Sequence, residues 1–236
     1  KQGRTGERMG QAIAQTEPGA VIVGDWEQVT PLWYYQVVEG WRPDVQIVYP
    51  MERLAEAAGG DRPLYVTRNS PNLWEHWHPS STGPLIFLGP EPAFDLPPDL
   101  VSLDIRWGDI LELSGFVYGT ADYGPGTVVP LTLYWRALQA PVDDYAVSLR
   151  LFDQAGQEIF KIDSQAPVLG TYPTSRWTAG EVVGDYYEIQ LPAELSPGVY
   201  QWGIILYRIL PEGGWENLRV AGTDAELAMG GDFPVK

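Results

Sequence analysis

The sequence predicts two domains of different class: a small three-layer, Rossmann-like α/β domain with a parallel sheet over residues 1–95, and an antiparallel, immunoglobulin-like β-sandwich over residues 96–236. Three observations lead to this prediction. Apolar runs alternate with helical patterns in the first part of the chain, whereas apolar residues recur at every second position in the rest. A proline-rich passage, PEPAFDLPPDL (90–100), separates the two parts.

The α/β prediction rests on short apolar runs that are separated by helical patterns. AVIV (20–23) is a continuous apolar run, which is typical of a strand covered on both faces. GERMGQAIAQTE and MERLAEAAGG carry helical patterns. The further predicted strands are DVQIVYP (44–50), RPLYVTR (62–68) and GPLIFLG (83–89). Strand–helix–strand units with short loops predict a parallel sheet with right-handed crossovers.

The helix after the first strand is predicted from DWEQVTPLWYYQVVEG (25–40). A stripe at positions i, i+3, i+4, i+7 and i+8 is formed by Val29, Leu32, Trp33, Gln36 and Val37. Pro31 fits a first helical turn with Thr30 as its N-cap, and Gly40 fits a C-terminal stop. We therefore expect Trp33 and Val37 to be buried between this helix and the sheet.

The sandwich prediction rests on runs in which every second residue is apolar. Three such runs are Val129, Leu131, Leu133 and Trp135; Tyr145, Val147, Leu149 and Leu151; and Tyr200, Trp202, Ile204 and Leu206. Turn signals lie at 153–157, 196–198 and 211–214. About seven to nine strands with no good helical pattern indicate an antiparallel sandwich.

Composition excludes several classes of function. Lys and Arg total 15 against 31 Asp and Glu, so the net charge is −16, and no basic cluster exists that could neutralise phosphates. Nucleic-acid binding and direct lipid binding by this chain are therefore not predicted. The chain has no cysteine, and no apolar run approaches the roughly 20 residues needed to span a bilayer. It begins with Lys1, which leaves open an excised piece of a longer protein.

Asp25, Trp26 and Glu27 are candidate binding residues, because they follow the first strand at the carboxyl end, where parallel α/β sheets bind ligands. We expect Asp25 and Trp26 to line an exposed rim there. AVIVGDWEQ contains neither GxGxxG nor a glycine-rich phosphate cradle, so no nucleotide cofactor is predicted. The alternative interpretation makes Asp25 a helix cap or a loop anchor. Trp41 is a further candidate for an exposed binding residue.

Catalytic and metal-binding patterns are weak. His76 and His78 flank Trp77 and could share a metal ion, but these are the only two histidines and no carboxylate stands at a diagnostic spacing. Ser80 and Ser81 lack the GxSxG frame of a nucleophile. We therefore predict no catalytic residue, no metal and no cofactor.

The stretch GTYPTSRWTAGEVVGDYYEIQLP (170–192) is the most unusual part of the second domain. Trp177 could stack on the face of a sugar. It could equally plug the open end of the sandwich while Arg176 pairs with an acidic residue, and this second alternative is the favoured one.

One long segment resembles a known family. AVIVGDWEQVTPLWYYQVVEGWRPDVQIVYPMERL (20–54) is similar to a segment of bacterial multi-pass membrane proteins of the protein O-mannosyltransferase-like superfamily. The matching positions are Gly24, Asp25, Trp33, Tyr34, Tyr35, Glu39, Gly40, Arg42, Pro43, Asp44 and Val45. LTLYWRA, DDYAVSLRLFDQAG, YPTSRWTAGEVVGD and LPAELSPGVYQWGIILY resemble a sandwich module that ends related proteins.

The resemblance implies an extracytoplasmic C-terminal region of a glycosyltransferase that uses lipid-linked sugars. Its partner would be the membrane-embedded part of the same polypeptide. In that superfamily the catalytic acid lies between early membrane helices, and no part of this chain corresponds to that loop, so this fragment is expected to be inactive. Three hypotheses follow: an accessory region that positions an acceptor, a stand-alone carbohydrate-binding protein using exposed Trp26, Trp41 and Trp177, and a cryptic hydrolase at the carboxyl edge of the α/β sheet.

Overall fold

The structure, a computed structural model, describes residues 2–119 and 123–236, without the side chains of residues 2–5 and 233. The chain divides into two compact units, residues 1–91 and 92–236. The predicted boundary after residue 95 lies four residues further along the chain. Within the described residues, no helix is long and apolar enough to cross a membrane.

The first unit is an α/β structure around one mixed sheet. Its described elements are α1 (Gln2–Gln11), β1 (Val21–Val23), α2 (Trp26–Trp33), β2 (Gln46–Val48), α3 (Leu54–Ala57), β3 (Leu64–Val66), β4 (His78–Ser81) and β5 (Ile86–Gly89). The strand order is β2-β1-β3-β5-β4. Strands β1, β2 and β3 are parallel, as predicted.

The prediction of a wholly parallel sheet is wrong, because β5 runs antiparallel to β3 and β4 runs antiparallel to β5. A parallel neighbour requires a crossover, usually a helix. Between β3 and β5 the described chain forms only a 3-10 turn, Leu73–Glu75, before β4. No strand was predicted at β4. The structure places Pro79 in an edge strand, the position where proline is tolerated.

Helix α2 begins earlier than predicted. Its first residue is Trp26 and its N-cap residue is Asp25. Thr30 is not the N-cap: it lies within the helix, and its hydroxyl donates to the carbonyl of Trp26 at 2.6 Å. A threonine hydroxyl can bond the carbonyl one turn earlier, so threonine before proline does not by itself mark a helix start.

The predicted burial along α2 holds only for its first half. Val29 and Leu32 are buried, Trp33 is partly buried, and Val37 is 77% exposed. The expectation for Val37 is therefore wrong. The cause is a π-helical segment, Tyr34–Val38, which directly follows α2. Its wider turn changes the angle between successive side chains, so a stripe extrapolated at α-helical spacing loses its phase there.

The residues that face inward after the π-helical segment begins are Tyr35 and Gln36. Tyr35 packs against the buried cluster of this unit. The Gln36 side-chain amide donates to the carbonyls of Arg42 and Val45 at 3.0 and 2.7 Å. The buried cluster consists of Ala12, Ile13, Ala20, Ile22, Leu32, Val45 and Leu85.

The second unit is β-rich, with nine strands among the residues that the structure describes. These are β6 (Val101–Trp107), β7 (Leu111–Tyr118), β8 (Val128–Ala137), β9 (Tyr145–Phe152), β10 (Glu158–Ser164), β11 (Val182–Gln190), β12 (Gly198–Ile209), β13 (Trp215–Asn217) and β14 (Leu227–Val235). They form two antiparallel sheets, β11-β8-β7-β6 and β10-β9-β12-β13, and β14 also pairs with β12. The predicted number of strands is confirmed.

The predicted alternation along β8, β9 and β12 is also confirmed. All twelve alternating residues are buried: Val129, Leu131, Leu133, Trp135, Tyr145, Val147, Leu149, Leu151, Tyr200, Trp202, Ile204 and Leu206. The two sheets meet through these side chains. The ring of Trp202 in β12 meets the ring of Phe116 in β7 edge to face, with centroids 4.9 Å apart.

Trp202 needs glycine on the neighbouring strand. A Cβ atom at Gly230 would lie 2.1 Å from the Trp202 ring, and the pairing of β12 with β14 shifts register between Trp202 and Gly203. Only a residue without a side chain fits this bulge, because the indole fills the space.

A buried carboxyl group holds the connection between β10 and β11. Asp185 is fully buried and accepts hydrogen bonds from the Val168 backbone N–H and the Tyr187 hydroxyl, each at 2.7 Å. Val168 and Leu169 have φ angles of 59° and 56°, a left-handed conformation that costs energy for side chains of this size. Burial raises the pKa of Asp185 to about 7, although the bonds from Tyr187 and Val168 oppose that rise.

We predict that Asp185 makes the protein less stable as pH rises from about 4 to about 7. Its pKa is higher in the folded chain than the ordinary value of 3.8, so the folded state binds the proton more tightly across this interval. Compared with Asp185→Asn, the wild type should lose about 2–3 kcal/mol of unfolding free energy between pH 5 and pH 8. Urea unfolding of both proteins across this range measures the difference. Parallel pH profiles would contradict it.

We also predict that residues 92–236 fold without residues 1–91. The β-rich unit has its own core and is large enough to fold alone. Expressed alone, it should give a β-type circular dichroism spectrum and one cooperative unfolding transition. A fragment starting at Val101 should be less stable by roughly 1 kcal/mol or more, since the Val182 N–H donates to the Ala93 carbonyl at 2.7 Å. Equal stability of the two fragments, or an unfolded longer one, would contradict this.

Candidate functional site

The candidate site is a groove on the outer face of the sheet β10-β9-β12-β13. Its volume is about 260 Å³. Four strands contribute its lining, which consists of Ser148, Arg150, Lys161, Asp163, Ile205, Tyr207, Trp215 and Asn217. We call this set of residues the sheet groove.

The packing of the core places these side chains on one face. In β9 and β12 the residues at alternate positions point into the sandwich, so the residues between them must point outward. The strand register then brings the outward residues together: Lys161 opposite Arg150, Asp163 opposite Ser148, and Tyr207 opposite Asn217. Ile205 is the partner of Ser148 on the other side of β9.

The floor of the sheet groove carries a connected polar network. Arg150 pairs with Glu158 at 2.7 Å and Lys161 pairs with Asp163 at 3.0 Å. The buried Ser148 hydroxyl accepts from Nε of Arg150 at 3.3 Å and donates to Asp163. Burial favours the neutral form of Asp163. The hydrogen bonds from Ser148 and Lys161, with the charges of Lys161 and Arg150, outweigh it and hold the pKa of Asp163 below its ordinary value.

Two aromatic side chains complete the sheet groove. Trp215 is 70% exposed, which is unusual for so large an apolar side chain. Tyr207 is partly buried, and this burial raises its pKa, with Asp163 adding to the rise and Lys161 opposing it. The groove therefore offers exposed aromatic surface next to fixed hydrogen-bond donors and acceptors. Such a combination binds amphipathic ligands.

At the carboxyl edge of the α/β sheet, the side chain of Asp25 is held by its neighbours. Asp25 is partly exposed and pairs with Nε of Arg68 at 2.5 Å. The backbone N–H of Met51 lies 3.4 Å from its other oxygen. Asp25 is thus the loop anchor of the alternative interpretation, linking the ends of β1, β2 and β3. Trp26 is 60% exposed and Glu27 is exposed. An exposed rim is therefore present, but the carboxylate of Asp25 is occupied by its ion pair with Arg68.

The space beside Gly24 is filled. A Cβ atom at Gly24 would lie 2.3 Å from the Thr67 hydroxyl, and this hydroxyl is buried without a hydrogen-bond partner. In nucleotide-binding sheets, the backbone at this place must be approachable by a phosphate. Here the Thr67 side chain packs directly against the Gly24 backbone.

The other predicted binding residues are not brought into one site. Trp41 is exposed, as predicted, and its ring contacts Tyr35, with ring centroids 4.7 Å apart. Trp177 is buried against Tyr172 and cannot stack on a sugar at the surface, whereas Arg176 is exposed. The carbohydrate-binding hypothesis was therefore wrong to use Trp177 as an exposed stacking residue. Burial was the favoured alternative for this residue.

The two histidines lie on different elements. His76 ends the 3-10 turn Leu73–Glu75, and His78 begins β4. Among the described residues, no group of three or more His, Asp or Glu side chains is arranged to hold a metal ion.

The sheet groove was not identified from the sequence. Its signal was present, because SLRLFD and KID place polar residues between the inward positions of β9 and β10. Polar outward positions are ordinary in a half-exposed sheet. Only the register between strands shows that Arg150, Lys161 and Trp215 share one face.

Comparisons with known proteins do not assign this chain to a family. No family profile and no curated protein matches it. Some solved structures resemble parts of it: the C-terminal domain of wzt (11% identity, 61% of this chain and 85% of that chain, TM-score 0.37), the sporulation control protein Spo0M from Bacillus subtilis (12%, 53% and 47%, 0.30) and a family 123 glycoside hydrolase from Clostridium perfringens (10%, 53% and 27%, 0.31). These low scores carry no argument about function.

Proposed function

We propose that this chain binds a glycan without transforming it, and that the sheet groove is the binding site. The observation that carries the proposal is the exposed Trp215 beside the fixed polar network of Arg150, Lys161 and Asp163.

A sugar ring is complementary to this arrangement. It presents a face of C–H groups, which packs on an aromatic plane, and a rim of hydroxyl groups that both donate and accept hydrogen bonds. Arg150 and Lys161 supply donors, Asp163 supplies an acceptor, and Asn217 supplies both. The ion pairs support binding because they hold these groups in place before the ligand arrives, which reduces the entropy lost on binding.

The biological setting we propose is an accessory, extracytoplasmic region of a membrane glycosyltransferase, acting beside the membrane-embedded part of the same polypeptide. The resemblance of residues 20–54 to the O-mannosyltransferase-like superfamily supports this setting. A stand-alone carbohydrate-binding protein is the alternative. The full-length gene separates the two, since a run of apolar helices upstream belongs to the first setting alone.

We also propose the finer fold classes, a three-layer α/β arrangement for the first unit and an immunoglobulin-like sandwich for the second. Val21 and Val23 point to the opposite face of the first sheet from Ile22, and all three are buried, which supports a covering layer on each face. The two antiparallel sheets and the contact between Phe116 and Trp202 support an immunoglobulin-like sandwich.

We predict that Trp215→Ala weakens glycan binding by about ten-fold or more, because it removes the aromatic surface of the site. An immobilised glycan array should identify a ligand, and calorimetry should measure its dissociation constant. Trp26→Ala is the matched control, since Trp26 is a similarly exposed tryptophan in the other unit (60% against 70%). The control should bind as the wild type does. An array without any binding, or loss of binding in the control alone, would reject the sheet groove as the site.

We further predict that the protein turns over no glycosyl donor, ester, phosphate or glycoside. General acid–base catalysis needs a group whose pKa lies near the working pH, whereas Asp163, the acid of the sheet groove, pairs with Lys161 and has a lowered pKa. At the carboxyl edge of the α/β sheet, Asp25 forms an ion pair with Arg68. A broad substrate screen tests this. Turnover that disappears in Asp25→Asn or Glu27→Gln would instead support the hydrolase hypothesis.

A further inference from the structure

The surface next to the sheet groove constrains the length and the charge of the ligand that the groove can bind. A second cavity, of about 670 Å³, lies on the same unit. Its lining consists of Val142, Asp143, Asp144, Ala146, Gln165, Arg208, Ile209, Leu210 and Pro211. We call it the lower cavity.

Strand register places the lower cavity directly beside the sheet groove. Ala146 of the lower cavity is the cross-strand partner of Tyr207, which lines the sheet groove. Ile209 of the lower cavity is the partner of Trp215, which also lines the sheet groove. Two cross-strand pairs therefore join the cavities, and Tyr207 and Trp215 stand at the junction.

The joined surface is long. From the row that contains Gly203 and Arg150 to the row that contains Ile209 and Trp215, strand β12 advances six residues. At roughly 3.4 Å per residue in an antiparallel strand, this distance is about 20 Å. A single sugar ring occupies only part of that length, whereas several linked rings can extend along it.

The charges of the joined surface are matched. Arg150 and Lys161 each have a carboxylate partner, and Arg208 has two, Asp143 at 2.9 Å and Glu216 at 2.7 Å. No excess of positive charge is therefore presented by these three cations. The chain as a whole carries a net charge of −16, which opposes the approach of a polyanion.

The lower cavity also offers apolar surface. Val142 is 92% exposed and Ile209 is 53% exposed. Exposed aliphatic groups beside paired charges can contact the C–H faces of sugar rings, as Trp215 does in our proposal for the sheet groove.

We infer that the ligand is a linear, uncharged oligosaccharide that lies along the strands and occupies both cavities. This inference rests on the proposed function, and adds the length and the charge of the ligand. A terminal monosaccharide would use the sheet groove alone, and an acidic chain would meet carboxylates that already hold the cations.

The experiment measures affinity as a function of chain length. Linear gluco-, manno- and xylo-oligosaccharides, from the monosaccharide to the hexasaccharide, are titrated into the whole protein by calorimetry. The dissociation constant of the series that binds should fall at least ten-fold between the disaccharide and the hexasaccharide. An oligogalacturonate hexamer should bind at least ten-fold more weakly than the neutral hexamer.

Ile209→Glu tests the lower cavity, because it places a charged side chain there. This variant should bind the hexasaccharide at least five-fold more weakly than the wild type and bind the disaccharide with unchanged affinity. Val199→Glu is the matched control: Val199 is an exposed aliphatic residue of the same strand, outside both linings, and receives the same charge. Thermal melting checks that each variant is folded. If Ile209→Glu does not fold, Val142→Glu is used in its place.

The outcomes separate the two proposals. Affinity that does not depend on length, together with an Ile209→Glu variant that binds every chain normally, would overturn the extended ligand and leave the sheet groove as a site for a short glycan. Tighter binding of the acidic hexamer than of the neutral hexamer would contradict the inference that the ligand is uncharged. Absence of binding by every chain, or binding that Trp215→Ala does not weaken, would overturn the proposed function itself.

Discussion

The side-chain alternation of β12 is the constraint on which the second unit depends. Trp202 points into the sandwich, where it meets Phe116 and lies close over Gly230. Tyr207 must then point outward, because successive residues of a strand face opposite sides. A slip of one residue would exchange the two faces and expose the core. The packing of one tryptophan thus determines which side chains reach the surface, and the proposed binding face follows from the core.

The two kinds of carboxylate in this unit illustrate what burial does to charge. Asp163 is exposed beside Lys161, so the charged form is favoured and the pair costs the fold little. Asp185 is buried and accepts hydrogen bonds from a backbone N–H and a tyrosine hydroxyl, so burial favours its neutral form and raises its pKa. The surface acid holds the ammonium group of Lys161 in place, and the buried acid secures a connection whose backbone is strained.

Sequence reasoning was successful where one strong pattern determines the structure. The buried positions of β8, β9 and β12 follow from period two, since both sheets must bury one face. It was wrong for Val37, because no residue type signals the π-helical segment at Tyr34–Val38. It did not identify the sheet groove, because Arg150 and Lys161 come together only through the pairing of β9 with β10. Local periodicity is encoded in a short window, whereas register between distant segments is not.

Pro79 in the edge strand β4 has a consequence for how the protein behaves in concentrated solution. An unpaired sheet edge invites another chain to add a strand, and such additions propagate into aggregates. Proline offers no N–H, so a ladder growing from β4 would lack a hydrogen bond there. The same unit also exposes the apolar side chains of Val37 and Val38. Pro79 therefore makes β4 a poorer template for the addition of a strand from another chain.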